Sequence, residues 1–371
     1  MNEGKRIFIA EPCLDGNEKK YVNDCLDTNW ISSVGKYVSA FEERFAEYCG
    51  TKYALTCANG TVSLQLAMLA LGIKAGDEVI VPTFTYIASA NTVRYCGATP
   101  IFVDSDYGSW NIDVTKIEEK ITPRTKAIMP VHLYGLVCDM DPIIALAEKY
   151  GLHVIEDAAE AHGATYKGKR AGSFGIINSF SFFGNKIITT GEGGMVTTND
   201  EALYNRMKLL RGQGMDPTRR YWFTDIGYNF RMTNLQAAVG LGQLENIERH
   251  INKRAEIAAL YKWYLSEYSN LFHPQSFSND YGHVYWMYSV LLSKDVKITR
   301  DELMVKMNDD NIETRPLFYP LHIMPPYKSD DVFTVAEDIS ARGLNLPTHS
   351  GMNETDVKRV ADSLIRWSSC K

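Results

Sequence analysis

His153-Val-Ile-Glu-Asp157-Ala-Ala-Glu160-Ala-His162 is a short apolar run that ends on a carboxylate and passes into a turn of small residues. Similar runs precede it: Glu78-Val-Ile-Val81 ending at Pro82, Pro100-Ile-Phe-Val-Asp104, and Lys126-Ala-Ile-Met-Pro-Val131. Helical spacing of apolar residues separates them, over 61–71 and 142–150. This alternation predicts an α/β fold: a mostly parallel sheet with helices on both faces. In such sheets the ligand lies beyond the carboxyl ends of the strands. Asp157 closes its strand, so it is expected to face that crevice.

Past residue 245 the pattern changes. It predicts one long amphipathic helix over 243–265, a strand over 284–292, and helices over 300–311, 335–342 and 354–367. The division expected is a large domain, 1–245, and a smaller α+β domain, 246–371. About the first 30 residues are expected beside the smaller domain.

A chain of 371 residues with 45% apolar and 23% charged residues has the composition of a soluble globular enzyme. A net charge of −6 without a basic run argues against nucleic acid and anionic membranes as partners. The N-terminal Met1-Asn-Glu-Gly-Lys-Arg-Ile-Phe-Ile-Ala10 has no apolar core of signal-peptide length. The seven cysteines (Cys13, Cys25, Cys49, Cys57, Cys96, Cys138 and Cys370) are scattered and never spaced as Cys-x-x-Cys. They read as buried thiols of a cytoplasmic protein, with no disulfide frame and no metal site.

Chemistry concentrates around Ser179-Phe-Ser-Phe-Phe-Gly-Asn-Lys186-Ile-Ile-Thr-Thr-Gly-Glu-Gly-Gly194. An ammonium in apolar surroundings loses hydration, so its amine becomes available for Schiff-base chemistry. Ala58-Asn59-Gly60-Thr61 opens a predicted helix, whose first-turn N–H groups suit a phosphate; a plain N-cap by Asn59 or Thr61 is the alternative. Asp157 could hold a heteroaromatic ring nitrogen protonated, or simply cap the next helix. Glu160 and His162 could face the same site. Pro82-Thr-Phe84-Thr-Tyr86 follows a strand, and either aromatic could stack on a flat ring. Ser181 could reach the phosphate held by the 59–61 turn. A phosphate turn, a strand-end acid, a stacking ring and a desolvated lysine together answer the needs of pyridoxal 5′-phosphate. A Gly-x-Gly-x-x-Gly dinucleotide fingerprint is missing after the early strands.

These residues resemble the DegT/DnrJ/StrS nucleotide-sugar aminotransferases, pyridoxal phosphate enzymes of fold type I, the aspartate-aminotransferase-like fold. The matching motifs are Asn59-Gly-Thr61, Pro82-Thr-Phe-Thr-Tyr86, Glu156-Asp-Ala-Ala-Glu160, Ser181-Phe-Phe-Gly-Asn-Lys186 and Gly227-Tyr-Asn229-Phe-Arg231-Met. Within that group the chain is similar to GDP-perosamine synthases over Thr28-Asn-Trp-Ile-Ser-Ser33, 182–195, Arg211-Gly-Gln-Gly-Met-Asp-Pro217 with Arg219-Arg-Tyr-Trp222, and His322-Ile-Met-Pro-Pro-Tyr327. The resemblance implies a mostly parallel seven-stranded sheet in the large domain. It implies that Lys186 joins the cofactor and moves protons, and that Asp157 pairs with the ring nitrogen. Tyr86 rather than Phe84 would stack on the ring. Asn59, Gly60, Thr61 and Ser181 would hold the phosphate, and Glu160 would lie near the ring hydroxyl, where many relatives carry Gln. Asn229 would reach the cofactor of a neighbouring subunit, so a homodimer is implied. Lysine at 186 implies amino transfer, because members with histidine there remove a sugar hydroxyl. The implied substrates are L-glutamate and GDP-4-keto-6-deoxy-D-mannose, in O-antigen biosynthesis. Trp30, Arg211, Arg219, Arg220, Arg315 and Tyr319 are candidates for the sugar nucleotide, with Tyr327 a further candidate for its base.

Overall fold

The computed structural model describes residues 4–369. Helices α1 (Glu18–Asp27) and α2 (Lys36–Cys49) lead into strand β1 (Tyr53–Cys57). The alternation continues with α3 (Gly60–Ala70), β2 (Glu78–Pro82), α4 (Ala88–Tyr95), β3 (Thr99–Val103), β4 (Thr125–Ile128), α5 (Met140–Tyr150) and β5 (His153–Asp157). A short hairpin, β6 (Thr165–Tyr166) and β7 (Lys169–Arg170), precedes β8 (Ile177–Ser181) and β9 (Gly194–Thr198). Without the hairpin these strands form a seven-stranded sheet ordered β1-β9-β8-β5-β4-β2-β3. From β8 to β3 the neighbours pair parallel; β9 alone runs against its neighbours β1 and β8. β2 and β9 are buried at all five of their residues, as helices on both faces require. The carboxyl ends of β1, β2, β5 and β8 therefore open on one edge of the sheet.

The rest of the chain comprises α6 (Glu201–Arg211), α7 (Asn234–Leu244), α8 (Ile247–Tyr264), β10 (Phe272–Pro274), β11 (Tyr281–Gly282), β12 (Tyr288–Leu292), α9 (Arg300–Asp309), β13 (Arg315–Pro316), α10 (Thr334–Arg342), β14 (Gly343–Leu346) and α11 (Glu354–Ser368). An antiparallel sheet ordered β10-β12-β14-β13 forms here, while β11 joins the β6–β7 hairpin. Ile7 pairs with Ile312 and packs in the apolar cluster of Tyr261, Leu303, Leu346 and Val360. By contrast, α1 lies against α7, where Gln243 donates to the Cys13 carbonyl and to Glu18.

Two of the expected secondary-structure elements need correction. The helix expected over 243–265 is two helices, broken at Glu245 and Asn246, where Asn246 leaves the helical region (φ −111°, ψ 9°) and begins α8. The strand expected over 284–292 begins only at Tyr288. Tyr285 has a left-handed backbone (φ 48°), which strand geometry forbids. That turn frees Trp286 and Met287 to face the site described below.

Under the Lys186 loop, Phe41, Phe45, Phe180 and Phe182 interlock. Phe45 lies edge-on to Phe180 at 4.9 Å and to Phe182 at 5.4 Å. Each such pair adds about 0.5–1.5 kcal/mol beyond area burial. Among the described residues the cysteines are free thiols; Cys13 and Cys96 are only partly buried, unlike the expectation, and Cys370 lies outside the described residues. No described helix is long and apolar enough to cross a membrane.

Candidate active site

Asn59, Gly60 and Thr61 follow β1, Tyr86 follows β2, Asp157 ends β5 and Ser181 ends β8. Together with Glu160 and Lys186 they line one cavity of about 670 Å³. Residues more than a hundred positions apart meet because their strands run in the same direction.

The Asn59 side chain caps α3 by accepting from the Val62 N–H at 3.0 Å. The cap and the anion site are therefore compatible: one uses Val62, and the Gly60 and Thr61 N–H groups remain at the mouth of the helix. A Cβ on Gly60 would lie 2.6 Å from the Ser181 Cβ, so only glycine lets these two segments approach.

Asp157 is buried, and burial raises its acid above the ordinary aspartate range. Ser89, at the start of α4, donates to its Oδ2 at 2.7 Å, and the Ala159 N–H donates to Oδ1 at 3.2 Å. Glu156 points the other way, as strand alternation requires. It accepts from the N–H groups of Gly172, Phe174 and Gly175 at 2.6–2.9 Å, and pairs with His132 at 2.9 Å. Glu156 thus ties down the 172–175 turn and leaves the chemistry to its neighbour.

Lys186 Nζ lies 3.9 Å from Glu160 Oε1 and 4.1 Å from the ring centroid of Trp286. Burial lowers the lysine's proton affinity, while Glu160 and Asp157 oppose that shift. Burial raises that of Glu160, whose Oε2 accepts the Tyr134 N–H at 2.7 Å. Tyr86 is 60% exposed and borders the cavity, whereas Phe84 is fully buried among aromatics. Tertiary packing thereby separates two residues that the sequence left equivalent.

Of the substrate candidates, Arg315 lines this cavity. Arg211 does not: its Nη1 donates to Glu42 at 2.8 Å and to the Thr56 carbonyl at 2.7 Å, so its charge is taken up within the frame. Arg219 and Arg220 lie over the exposed rings of Trp222 and Tyr221, away from the cavity of their own chain. Trp30 borders a second cavity of about 600 Å³, with Asp24, Lys36 and Asn234. The Tyr319 hydroxyl accepts from Arg300 at 3.4 Å, and the Tyr327 hydroxyl donates to Asn91 at 2.7 Å; neither lines the Lys186 cavity. Nor does Asn229, which pairs with Gly212. Thr85, Trp286, Phe318 and Asn345 line the cavity without having been singled out, and Ser89 supports Asp157 from behind. Ser89 lies three residues past Tyr86 on the following helix, and that spacing was the one local signal available.

His162 is not at the cavity. It is buried between Phe180 and Phe182, at 5.3 and 5.5 Å, against the Ser181 backbone. Burial, aided by the Lys186 charge, pushes its pKa down to about 3. The unfolded chain binds a proton on this residue below about pH 6.5, and the folded chain does not until near 3. Stability is therefore expected to fall as pH drops through that window, by roughly 1 kcal/mol per pH unit from this residue. His162→Leu should flatten the acid side of a melting-temperature profile. A profile parallel to that of the unsubstituted protein would count against this account.

A family model described as the DegT/DnrJ/EryC1/StrS aminotransferase family matches residues 12–365. The chain belongs to this family. It is 55% identical over 366 residues to a GDP-perosamine synthase of Caulobacter vibrioides, covering 98% of this chain and 99% of that protein. It is 52% identical over 368 residues to a GDP-perosamine synthase of Escherichia coli O157:H7, covering 99% and 100%. The crystal structure of an aminotransferase from Psychrobacter cryohalolentis superposes with a TM-score of 0.90 at 34% identity, covering 96% of this chain and 97% of that one. DegT/DnrJ/EryC1/StrS aminotransferases depend on pyridoxal 5′-phosphate. The residues present fit that group: a glycine-only approach at a helix mouth for phosphate, a buried strand-end carboxylate, an exposed tyrosine ring and a lysine in one cavity.

Proposed function

We propose that the chain is a pyridoxal 5′-phosphate-dependent nucleotide-sugar 4-aminotransferase that converts GDP-4-keto-6-deoxy-D-mannose and L-glutamate to GDP-perosamine and 2-oxoglutarate. The observation that carries this reading is Lys186 sharing one cavity with Asp157 and the Gly60 turn, in a chain 55% identical to a GDP-perosamine synthase. When bound, the cofactor supplies an electron sink that allows an amino group and a proton to be exchanged at the adjoining carbon. Gly60, Thr61 and Ser181 would hold its phosphate, and Tyr86 would cover one face of its ring. Asp157 would keep the ring nitrogen protonated. Lys186 would anchor the cofactor and deliver the proton to C4 of the sugar, which its position beside Glu160 favours. Arg315 supplies a cation at the cavity wall for the donor carboxylate or the sugar diphosphate.

In this reading the protein is a cytoplasmic homodimer serving O-antigen synthesis. Tyr221, Trp222, Phe223 and Ile226 are exposed beside Arg219, Arg220 and Asn229, which supports that segment reaching a second copy's cavity. The chain would divide into a large domain, 1–245, and a small one, 246–371; the separate apolar cluster joining Ile7 to Tyr261 and Val360 supports the division.

The test is amino transfer from L-glutamate to GDP-, UDP- and dTDP-linked 4-keto-6-deoxy sugars at matched concentrations. Turnover is expected with the GDP-linked mannose derivative at no less than about tenfold over the others, a difference of about 1.4 kcal/mol. A preference for a UDP or dTDP sugar overturns the base assignment. No transfer to any sugar, with cofactor still reducible onto Lys186 by borohydride, would instead make the chain a non-catalytic binder.

A further inference from the structure

Amino transfer requires the active-site lysine to be released from the cofactor in the first half of the cycle and taken up again in the second. A released ammonium in a buried site is unstable unless something solvates it. Lys186 lies between two groups able to do so. The Trp286 indole presents its face 4.1 Å from Nζ, and the Glu160 carboxylate lies at 3.9 Å.

Trp286 itself is held from several sides. Its indole Nε1–H donates to the carbonyl of Asn185 at 2.8 Å, the residue next to the lysine. Its own carbonyl accepts from the buried Arg254 at 2.9 Å. Its ring stacks on Tyr134 at 6.1 Å with planes 5° apart, and the Tyr134 N–H holds the other oxygen of Glu160. Gly135 has φ +102°, and a Cβ there would lie 2.9 Å from the Trp286 backbone nitrogen and from the Val284 side chain, so glycine is what lets the 284–286 backbone pass this close. The contacts form a closed ring: Trp286 to Tyr134, Tyr134 to Glu160, Glu160 to Lys186, and Lys186 back to Trp286.

We propose that Trp286 is a positioning residue of the amino-transfer cycle, its indole face and the Glu160 carboxylate forming a seat for the Lys186 ammonium while that lysine is not joined to the cofactor. The proposal rests on the aminotransferase reading above. It explains why a tryptophan from the C-terminal part of the chain reaches back to bind both the side chain of Lys186 and the backbone before it. Desolvated cation–π contacts are among the stronger of their kind. Besides Glu160, the charged group facing the lysine is Asp157, with Arg315 on the same cavity wall; His162 lies behind the cavity wall, where the lysine's charge still reaches it. None of them depends on the indole face.

The test uses the full-length, cofactor-loaded protein after addition of L-glutamate. Trp286 is replaced site-specifically by tryptophans carrying increasing numbers of ring fluorines, which keep the shape and weaken the π face, and separately by Trp286→Phe and Trp286→Leu. Trace acetylation of Lys186 is read by peptide mass spectrometry across a pH series. The midpoint is expected to fall stepwise with fluorine number and by about one pH unit in Trp286→Leu. Trp286→Phe, which keeps a π face without the indole N–H, should stay closer to the unsubstituted protein than Trp286→Leu does. A midpoint that is flat across the fluorinated series overturns the seat, whether or not the leucine variant folds. Borohydride reduction of the unsubstituted protein separates the two readings. Failure to fix cofactor on Lys186 sinks the aminotransferase reading, whereas success with a flat series removes the seat alone.

Discussion

Lys186→Ala is expected to fold normally and to lose amino transfer by on the order of 10⁴-fold, the upper end of what one acid–base group contributes. The lysine is the cavity's amine, beside Glu160 and in the field of Asp157. No neighbour can replace its amine: Arg315 offers a guanidinium with donors only, Asn185 and Ser181 are not basic, and the Glu160 and Asp157 carboxylates cannot form a Schiff base. Folding should survive, because burial already works against the lysine's charged form. Glu160 would lose its cation, and its burial would then favour the protonated acid more strongly. The measurements are glutamate-dependent amino transfer, a thermal melt, and borohydride reduction followed by peptide mapping. Cofactor fixed on a different lysine, or turnover within about tenfold of the unsubstituted protein, would rule out the assignment.

Asp157→Asn should be the next most damaging change, lowering transfer by about 10²–10³-fold with little change in fold. The amide keeps an oxygen for the Ser89 hydroxyl or the Ala159 N–H, which now bond Oδ2 and Oδ1 at 2.7 and 3.2 Å. The local turn therefore survives at a cost of about 1 kcal/mol. What disappears is the negative charge that would hold a proton on the cofactor's ring nitrogen. The substitution separates the two roles that the sequence left open for this residue, structural cap and acid partner. If the cap were its whole role, Asp157→Asn would transfer amino groups at nearly the normal rate and show the same visible absorbance.

The strand-end residues were legible because each lies within a few positions of a local signal. Asp157 ends a five-residue apolar strand, Gly60 opens a helix behind a capping Asn59, and Ser181 closes the aromatic strand before the lysine loop. Tyr86 and Phe84 share one loop, and only burial distinguishes them. Arg211 could not be told apart from the other candidate arginines for a different reason. A cation that binds phosphate and a cation that pairs with Glu42 have the same local sequence, and the partner lies 169 positions away. Trp286 carried no signal because it sat inside an apparent strand, and the break at Tyr285 that turns it toward Lys186 is made by contact with Gly135.

The sequence by itself determined the alternating α/β architecture, the glycine-opened helix mouth, the strand-end carboxylate and the lysine of the aromatic loop. Each of these depends on residues adjacent in the chain, where spacing and capping set the conformation. The tertiary structure decided which side chains share the cavity, which arginine lines it, and what lies against the lysine's amine. Those are properties of long-range packing. The parallel sheet brings distant strand ends to one edge, and the final stretch of the chain folds back over them to lay an indole against Lys186.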